Sequence, residues 1–128
     1  MNRRDRGIAV YASQLGVSEA EAERFFVDMY GPRLAEEAFN ATGGSNWEPE
    51  PLSLRERSLV VLAALATQGG VEPRLRQHVR WALVNGVTPD ELDATASLLA
   101  VYIGYPRASV AMEVIRGELA KANDDKKE

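Results

Sequence analysis

Apolar and polar residues recur along this chain with the three-to-four-residue period of an amphipathic α-helix. No stretch of useful length alternates as a β-strand does, and no internal repeat is present. Three Ser/Thr-x-x-Glu motifs, beginning at Ser18, Ser53 and Thr88, mark helix starts. In such a motif the hydroxyl and the carboxylate each satisfy a free backbone N–H group. Helices are predicted over about residues 18–30, 32–42, 53–68, 73–85, 88–103 and 106–122. The pattern predicts an all-α bundle of about six helices.

Glycine and proline residues separate these helices, and residues 43–51 form a loop rich in both. With 128 residues, the chain is long enough for one domain with its own core. We expect a single all-helical domain over residues 1–122, followed by a charged, frayed tail over residues 123–128.

The predicted helices over residues 54–68 and 89–103 carry apolar residues around much of their circumference. A helix of that kind must be buried on most sides. A single small bundle rarely surrounds two such helices, so subunit contacts are expected to cover part of them. The pattern therefore predicts a homo-oligomer.

Composition excludes several kinds of chemistry. The chain has no cysteine, which removes disulfides, thiolate metal sites and thiol nucleophiles. One histidine without a second histidine or a cysteine makes a zinc or copper site improbable. A formal net charge of −4 argues against nucleic acid as a partner, because phosphate binding needs a basic surface. The basic start, Met1 to Arg6, precedes no apolar run, so no signal peptide is expected.

The longest apolar stretch, residues 59–66, is too short to span a bilayer. We therefore expect a soluble, cytoplasmic protein with no membrane partner.

His78 is the only histidine and the only ordinary side chain here that titrates near neutral pH. Helical spacing places it on one face with Arg74, Leu75, Trp81 and Ala82. It is a candidate general acid or base, or a hydrogen-bond donor to a substrate carboxylate or enolate. The alternative is a core or interface histidine that is satisfied by a backbone carbonyl.

Three arginines, Arg74, Arg76 and Arg80, make the same helix locally basic. An arginine near a helix start favours a carboxylate ligand, because its planar fork and the free N–H groups both attract an anion. Arg74 and Arg80 are therefore candidate substrate-binding residues. The alternative is a solvated face, or salt bridges between subunits to Asp90, Glu91 or Asp93.

Three further side chains are candidates for the same site. Glu56 could orient the imidazole or shuttle a proton, although it could equally be the structural half of its capping box. Tyr102 could donate its hydroxyl to a substrate carbonyl, or lie in an amphipathic part of the core. Trp81 could contact substrate, although packing is its more common role.

Several motifs in order carry a resemblance to a known family. They are Leu52-Ser53-Leu54-Arg55-Glu56-Arg57-Ser58-Leu59-Val60, then His78-x-x-x-Ala82-x-x-x-Gly86-x-Thr88-x-x-Glu91-Leu92, then Ala100-Val101-Tyr102-x-Gly104-Tyr105-Pro106-x-Ala108. Over about residues 51–119 the chain resembles the carboxymuconolactone decarboxylase family, whose superfamily also includes the AhpD-type alkylhydroperoxidases. The resemblance implies an all-α bundle that assembles as trimers, or as hexamers built from trimers.

The resemblance also implies which residues carry the chemistry. In the peroxidase branch a Cys-x-x-Cys-x-x-x-His motif follows a glutamate on the preceding helix. These positions fall on Val71, Arg74, His78 and Glu56, so disulfide-based peroxidase chemistry is impossible here. Arg74 puts a permanent positive charge in place of a redox cysteine, which suits an anion.

The decarboxylase branch needs no cysteine, and its reaction removes CO2 from a small unsaturated lactone acid without a cofactor. Its members often carry a glutamate and a second histidine on the next helix, at the positions of Ala94 and Leu98. We expect a cofactor-free lyase that acts on a small anionic organic molecule, a carboxylated lactone or β-keto acid. The alternative is a catalytically silent homo-oligomer that binds a ligand or a partner protein on the same scaffold.

Overall fold

The computed structural model describes residues 1–127 and is entirely helical there, with seven α-helices, one short 3-10 helix and no strand. The helices are α1 (Arg3–Leu15), α2 (Glu19–Tyr30), α3 (Pro32–Thr42), α4 (Leu54–Gln68), α5 (Glu72–Val84), α6 (Pro89–Ile103) and α7 (Tyr105–Lys127), and the 3-10 helix is Ser45–Trp47. The all-α prediction is confirmed, with one helix more than the six expected.

The predicted helix starts agree with the structure to within about one residue. At the start of α2, Ser18 and Glu21 exchange both hydrogen bonds of a capping box. Thr88 and Glu91 do the same at the start of α6. These motifs could be identified from the sequence because a capping box joins two residues that are only three positions apart.

One helix was not predicted, and one predicted boundary was wrong. The basic start of the chain is the helix α1, capped by the side chain of Asn2 on the backbone N–H of Asp5 and ended by Gly16 in the left-handed conformation. At the other end, α7 continues as a helix to Lys127, so its predicted end at Ala122 was too early. Glu128 lies outside the described residues. Both ends are rich in charged residues, which hide a helical pattern that depends on apolar spacing.

The described chain divides into two compact units, the first comprising Met1–Leu54 and the second beginning at Arg55. The single-domain prediction stays a prediction.

The first unit packs α1, α2 and α3 around a small aromatic core. The rings of Tyr11 and Phe26 have centroids 4.1 Å apart, and those of Phe26 and Phe39 lie 5.6 Å apart. Gly7 lets α1 approach α3 closely, because a Cβ atom there would overlap the carbonyl oxygen of Phe39. Arg4 pairs with Glu23 of α2 and with Glu36 of α3. This unit contains no candidate site residue.

The second unit packs α7 against α5 and α6, and its core also includes side chains of α4. Leu62, Val79, Leu92 and Ile115 are among its buried residues. Burial of apolar side chains, at about 1.5–3 kcal/mol for each large one, is the main stabilising contribution. This core holds α5, and with it His78, in place.

At least three ion pairs connect helices of the second unit. Arg55 of α4 pairs with Glu91 of α6, and Arg116 of α7 pairs with Asp93 of α6 at 2.6 Å. The third joins Arg80 of α5 to Glu118 of α7 at 3.0 Å. Glu118 is the unusual member, since its side chain is only 1% exposed and also contacts Lys121 at 3.5 Å. A buried carboxylate needs such cationic partners, because desolvation penalises its charge.

Several large apolar side chains of α6 point to solvent in this chain. Leu98 is 61% exposed, and Val101 and Tyr102 are each 78% exposed. The sequence predicts that subunit contacts cover part of this helix. The homo-oligomer stays a prediction. Within residues 1–127, no helix is both long and apolar enough to cross a membrane.

Candidate functional site

Helix α5 presents the centre of the predicted site. The buried side chains Leu75, Val79 and Ala82 anchor one side of the helix in the core of the second unit. His78 is half-buried on the neighbouring face. Its imidazole meets the ring of Trp81 edge to face, with centroids 4.8 Å apart and planes at 75°. The core and this ring contact fix the position of the histidine along the helix.

The environment of His78 disfavours its charged form. Burial, and then the nearby positive charge of Arg74, lower the pKa of His78 from 6.5 to about 4. The imidazole is therefore neutral at pH 7, with one nitrogen that can accept a proton and one N–H that can donate a hydrogen bond. In residues 1–127 neither nitrogen makes a hydrogen bond within the protein. Both remain available to a ligand.

Arg74 lies one helical turn before His78 and is exposed. Its guanidinium donates a hydrogen bond of 3.2 Å to the side-chain carbonyl of Gln77. Arg74 and His78 thus share one side of the helix, as predicted, with the positive charge nearer the helix start.

The other two predicted substrate-binding residues have structural contacts. Arg80 donates to the carboxylate of the buried Glu118, so its charge stabilises the contact between α5 and α7. This partner lies in the same chain and is none of the acidic residues of α6 that the sequence suggested. Trp81 is only 7% exposed, and the structure places it among buried residues. Their assignment to substrate binding stays a prediction.

Glu56 and Tyr102 lie on other helices of the second unit. Glu56 is exposed in the first turn of α4. Tyr102 is exposed near the end of α6 and makes no hydrogen bond or ring contact in the described part of the chain. Ala94 and Leu98 are also exposed on α6. They occupy the positions where the resemblance implies a glutamate and a histidine. The structure thus does not bring Tyr102 to His78 within one chain.

Among the cavities that open on the second unit, two are lined by none of the six predicted site residues. The smaller, of about 290 Å³, lies between the end of α4 and the starts of α5 and α7. Val71 and Glu72 are on its wall, and Arg107 of α7 is its cationic residue. The larger, of about 570 Å³, is an open groove between α6 and α7 with Tyr105 and Glu113 on its rim.

Arg107 and Glu72 are therefore residues that the sequence interpretation missed. One signal was present for Arg107, which directly follows the Gly104-Tyr105-Pro106 segment used to find the resemblance. Nothing in the sequence marked Glu72, which reads as an ordinary acidic residue in the first turn of a helix.

Across residues 1–127, no three histidine, cysteine, aspartate or glutamate side chains are grouped as a metal site requires. The expectation that the reaction needs no cofactor stays a prediction.

The family model of the carboxymuconolactone decarboxylase family matches residues 33–117, which is more than half of the chain. The chain therefore belongs to the carboxymuconolactone decarboxylase family, which confirms the resemblance inferred from the sequence.

A curated relative is the 4-carboxymuconolactone decarboxylase of Acinetobacter baylyi, which is 38% identical over 71 residues. The aligned segment covers 56% of this chain and 52% of that protein, so the chain spans about half the length of the curated relative that it matches.

Proposed function

We propose that this protein is a cofactor-independent decarboxylase-like lyase that acts on a small carboxylated lactone or β-keto acid. The observation that carries the proposal is a neutral, half-buried histidine with both nitrogens available, within the segment that matches the family. The name of the Acinetobacter relative, a 4-carboxymuconolactone decarboxylase, supports the same reaction class.

In the proposed reaction, the bond between the carboxylate carbon and its neighbour breaks and CO2 leaves. The bonding electron pair passes into the adjacent carbonyl to give an enolate, which then takes a proton at carbon. The N–H of neutral His78 would donate a hydrogen bond to the developing enolate oxygen. Fixed donors aimed at such a charge lower the barrier, because they require no reorganisation during the reaction.

Arg74 would hold a carboxylate of the substrate one helical turn from His78. A bound carboxylate would also offset the positive charge that helps to keep the pKa of His78 low. His78 would then take up a proton more readily when substrate is present than when the site is empty. The substrate itself would thus prepare the acid that protonates the product carbon.

We also propose that the chain acts as a homo-oligomer, a trimer or a hexamer. The exposed apolar side chains Leu98, Val101 and Tyr102 of α6 support this, because single exposed apolar residues are common but a group of them marks a contact surface. Sedimentation at micromolar concentration should give a trimer or a hexamer, and a monomer would refute this part of the proposal.

The test of the enzymatic proposal is CO2 release from a panel of small β-keto acids and carboxylated lactones. Wild type is compared with His78→Ala and His78→Gln, the latter keeping a polar side chain that cannot titrate. Loss of the histidine should lower turnover by about 10²- to 10⁴-fold, the usual contribution of general acid–base catalysis. No turnover by wild type, or equal turnover by all three proteins, would refute the proposal.

A second candidate function is a catalytically silent protein that binds a ligand or partner on the same scaffold. Ala94 and Leu98 favour it, since neither can supply the carboxylate or imidazole expected at those positions of α6. On this view wild type releases no CO2 but still binds small acids. For either function, a chain without cysteine is expected to show no thiol peroxidase activity.

A further inference from the structure

The smaller cavity of the second unit has the size and lining of a small-molecule site. Its volume of about 290 Å³ is close to the lower end, about 300 Å³, of the range seen for ligand pockets. Much of its wall is apolar and comes from three helices, namely Leu65, Ala66, Leu75, Val110 and Ala111. Such a wall favours the hydrocarbon part of a ligand, because apolar contact releases water.

Arg107 supplies a positive charge at this cavity. Its guanidinium lies against Gly69 and donates a hydrogen bond to the carbonyl oxygen of Thr67 in the last turn of α4. This bond holds the guanidinium at the cavity wall and leaves other N–H donors unused. No carboxylate of residues 1–127 lies within ion-pair distance of Arg107, whereas Arg55, Arg80 and Arg116 are each paired.

Glu72 lines the same cavity and contributes a negative charge. In the described chain it forms no ion pair, so it does not neutralise Arg107. A ligand with one carboxylate can bind the arginine and place its apolar part on the wall. A second carboxylate in this small volume would be repelled by Glu72, and a built-in repulsion of this kind is a common source of specificity.

We infer that this cavity binds a small cyclic acid with a single carboxylate, that Arg107 anchors the carboxylate, and that Glu72 disfavours a second one. The choice of organic acids as the ligand class rests on the proposed function. The inference adds to that function a binding site apart from the Arg74 side chain. It also assigns a specificity-determining role to Glu72.

The inference can be tested by NMR titration of the folded protein with unreactive probes. Backbone amide signals, those of Gly69 and Gly70 above all, are followed during addition of cyclopentanecarboxylate, of the neutral cyclopentanecarboxamide and of cyclopentane-1,2-dicarboxylate. A hydrogen bond to a charged group predicts about tenfold tighter binding of the monocarboxylate than of the amide. The dicarboxylate should bind more weakly than the monocarboxylate.

Variants assign the effect to individual residues. Arg107→Gln should remove the preference for the acid over the amide. Glu72→Gln should tighten binding of the dicarboxylate until it equals or exceeds that of the monocarboxylate. Arg116→Gln, on the same helix but outside the cavity, is the matched control and should change neither ratio.

Three results would overturn the inference: equal affinity for acid and amide in wild type, an unchanged acid preference in Arg107→Gln, or signals that shift around Arg74 and His78 instead of Gly69. Loss of the Arg107 bond to Thr67 could unfold that variant, which circular dichroism would reveal. Glu72→Gln removes no hydrogen bond of the described chain, so if Arg107→Gln is unfolded the test rests on Glu72→Gln. An unchanged ratio of mono- to dicarboxylate affinity in Glu72→Gln would overturn the assignment.

The probes do not react, so binding and turnover are measured separately. If acids bind at the cavity but CO2 is never released, the inference stands and the proposed lyase activity fails. If CO2 is released but no acid binds at the cavity, the proposed function stands and the inference fails.

Discussion

Protonation of His78 should destabilise the folded protein as the pH falls below neutrality. In the folded state, burial and the charge of Arg74 lower its pKa to about 4. In the unfolded chain the pKa returns to its ordinary value of about 6.5. The unfolded state therefore binds the proton first. The folded state is unaffected above about pH 6.5 and loses stability progressively between pH 6.5 and 4.

The two pKa values set the magnitude. Between pH 7 and pH 5, linkage predicts a loss of about 2 kcal/mol in the free energy of unfolding from this one group. That is a substantial share of the stability of a small protein, which is about 5–15 kcal/mol. Most carboxylates are still ionised at pH 5, so they contribute little over this interval.

Urea unfolding of wild type and His78→Gln at pH 7 and pH 5, followed by tryptophan fluorescence, isolates this contribution. Wild type should lose about 2 kcal/mol more than the variant, because glutamine does not titrate. In Arg74→Gln the extra loss should shrink but persist, since burial is the larger cause of the lowered pKa. The single imidazole also gives a direct NMR titration. A midpoint near 6.5, or equal losses in wild type and His78→Gln, would refute the reasoning.

Five further substitutions, two of them matched controls, test other parts of the structure. Arg80→Ala removes the nearer cationic partner of the buried Glu118 carboxylate and should lower the free energy of unfolding by about 1–3 kcal/mol. Its control, Arg116→Ala, breaks an exposed ion pair and should lower that free energy by under about 1 kcal/mol. Equal urea midpoints for the two variants would contradict this. Gly7→Ala forces two helices of the first unit apart and should cost about 1–3 kcal/mol, while Gly117→Ala, in an open helical position, should stabilise by about 0.5–1 kcal/mol. Tyr102→Phe should leave the urea midpoint unchanged, because the hydroxyl makes no hydrogen bond in the described chain; a clear loss of stability would show a structural role instead.

Much of the fold was predictable because its determinants are local. Helix caps such as Ser18 with Glu21 join residues three apart, and glycines such as Gly104 end helices by their own conformational freedom. The chain ends were the exception. The helix α1 was missed because its three arginines and one aspartate obscure the spacing of Ile8 and Ala12.

The candidate site was only partly predictable. Arg74 and His78 lie one turn apart on a single helix, so their proximity follows from helical spacing alone. Whether Tyr102 reaches them depends on how separate helices pack. Within one chain the structure leaves it exposed on α6 without a contact to His78. For Arg80 the sequence suggested a substrate carboxylate or, as the alternative, an acidic residue of α6 in another subunit, and it did not point to Glu118, which lies 38 residues away and is its partner within the chain.

The helical content, the family, the chemistry that a cysteine-free chain has lost and the placement of Arg74 and His78 on one helix could all be inferred from the sequence. These follow from composition, from short-range periodicity and from motifs in order, all of which are properties of neighbouring residues. Which arginines are already paired with a carboxylate, and which one lines a cavity, depends instead on how the helices pack. Arg80 and Arg107 look alike in the sequence, but packing places a buried carboxylate beside the first and an apolar cavity beside the second. The partners of a side chain depend on helices that are distant along the chain, and no local pattern records them.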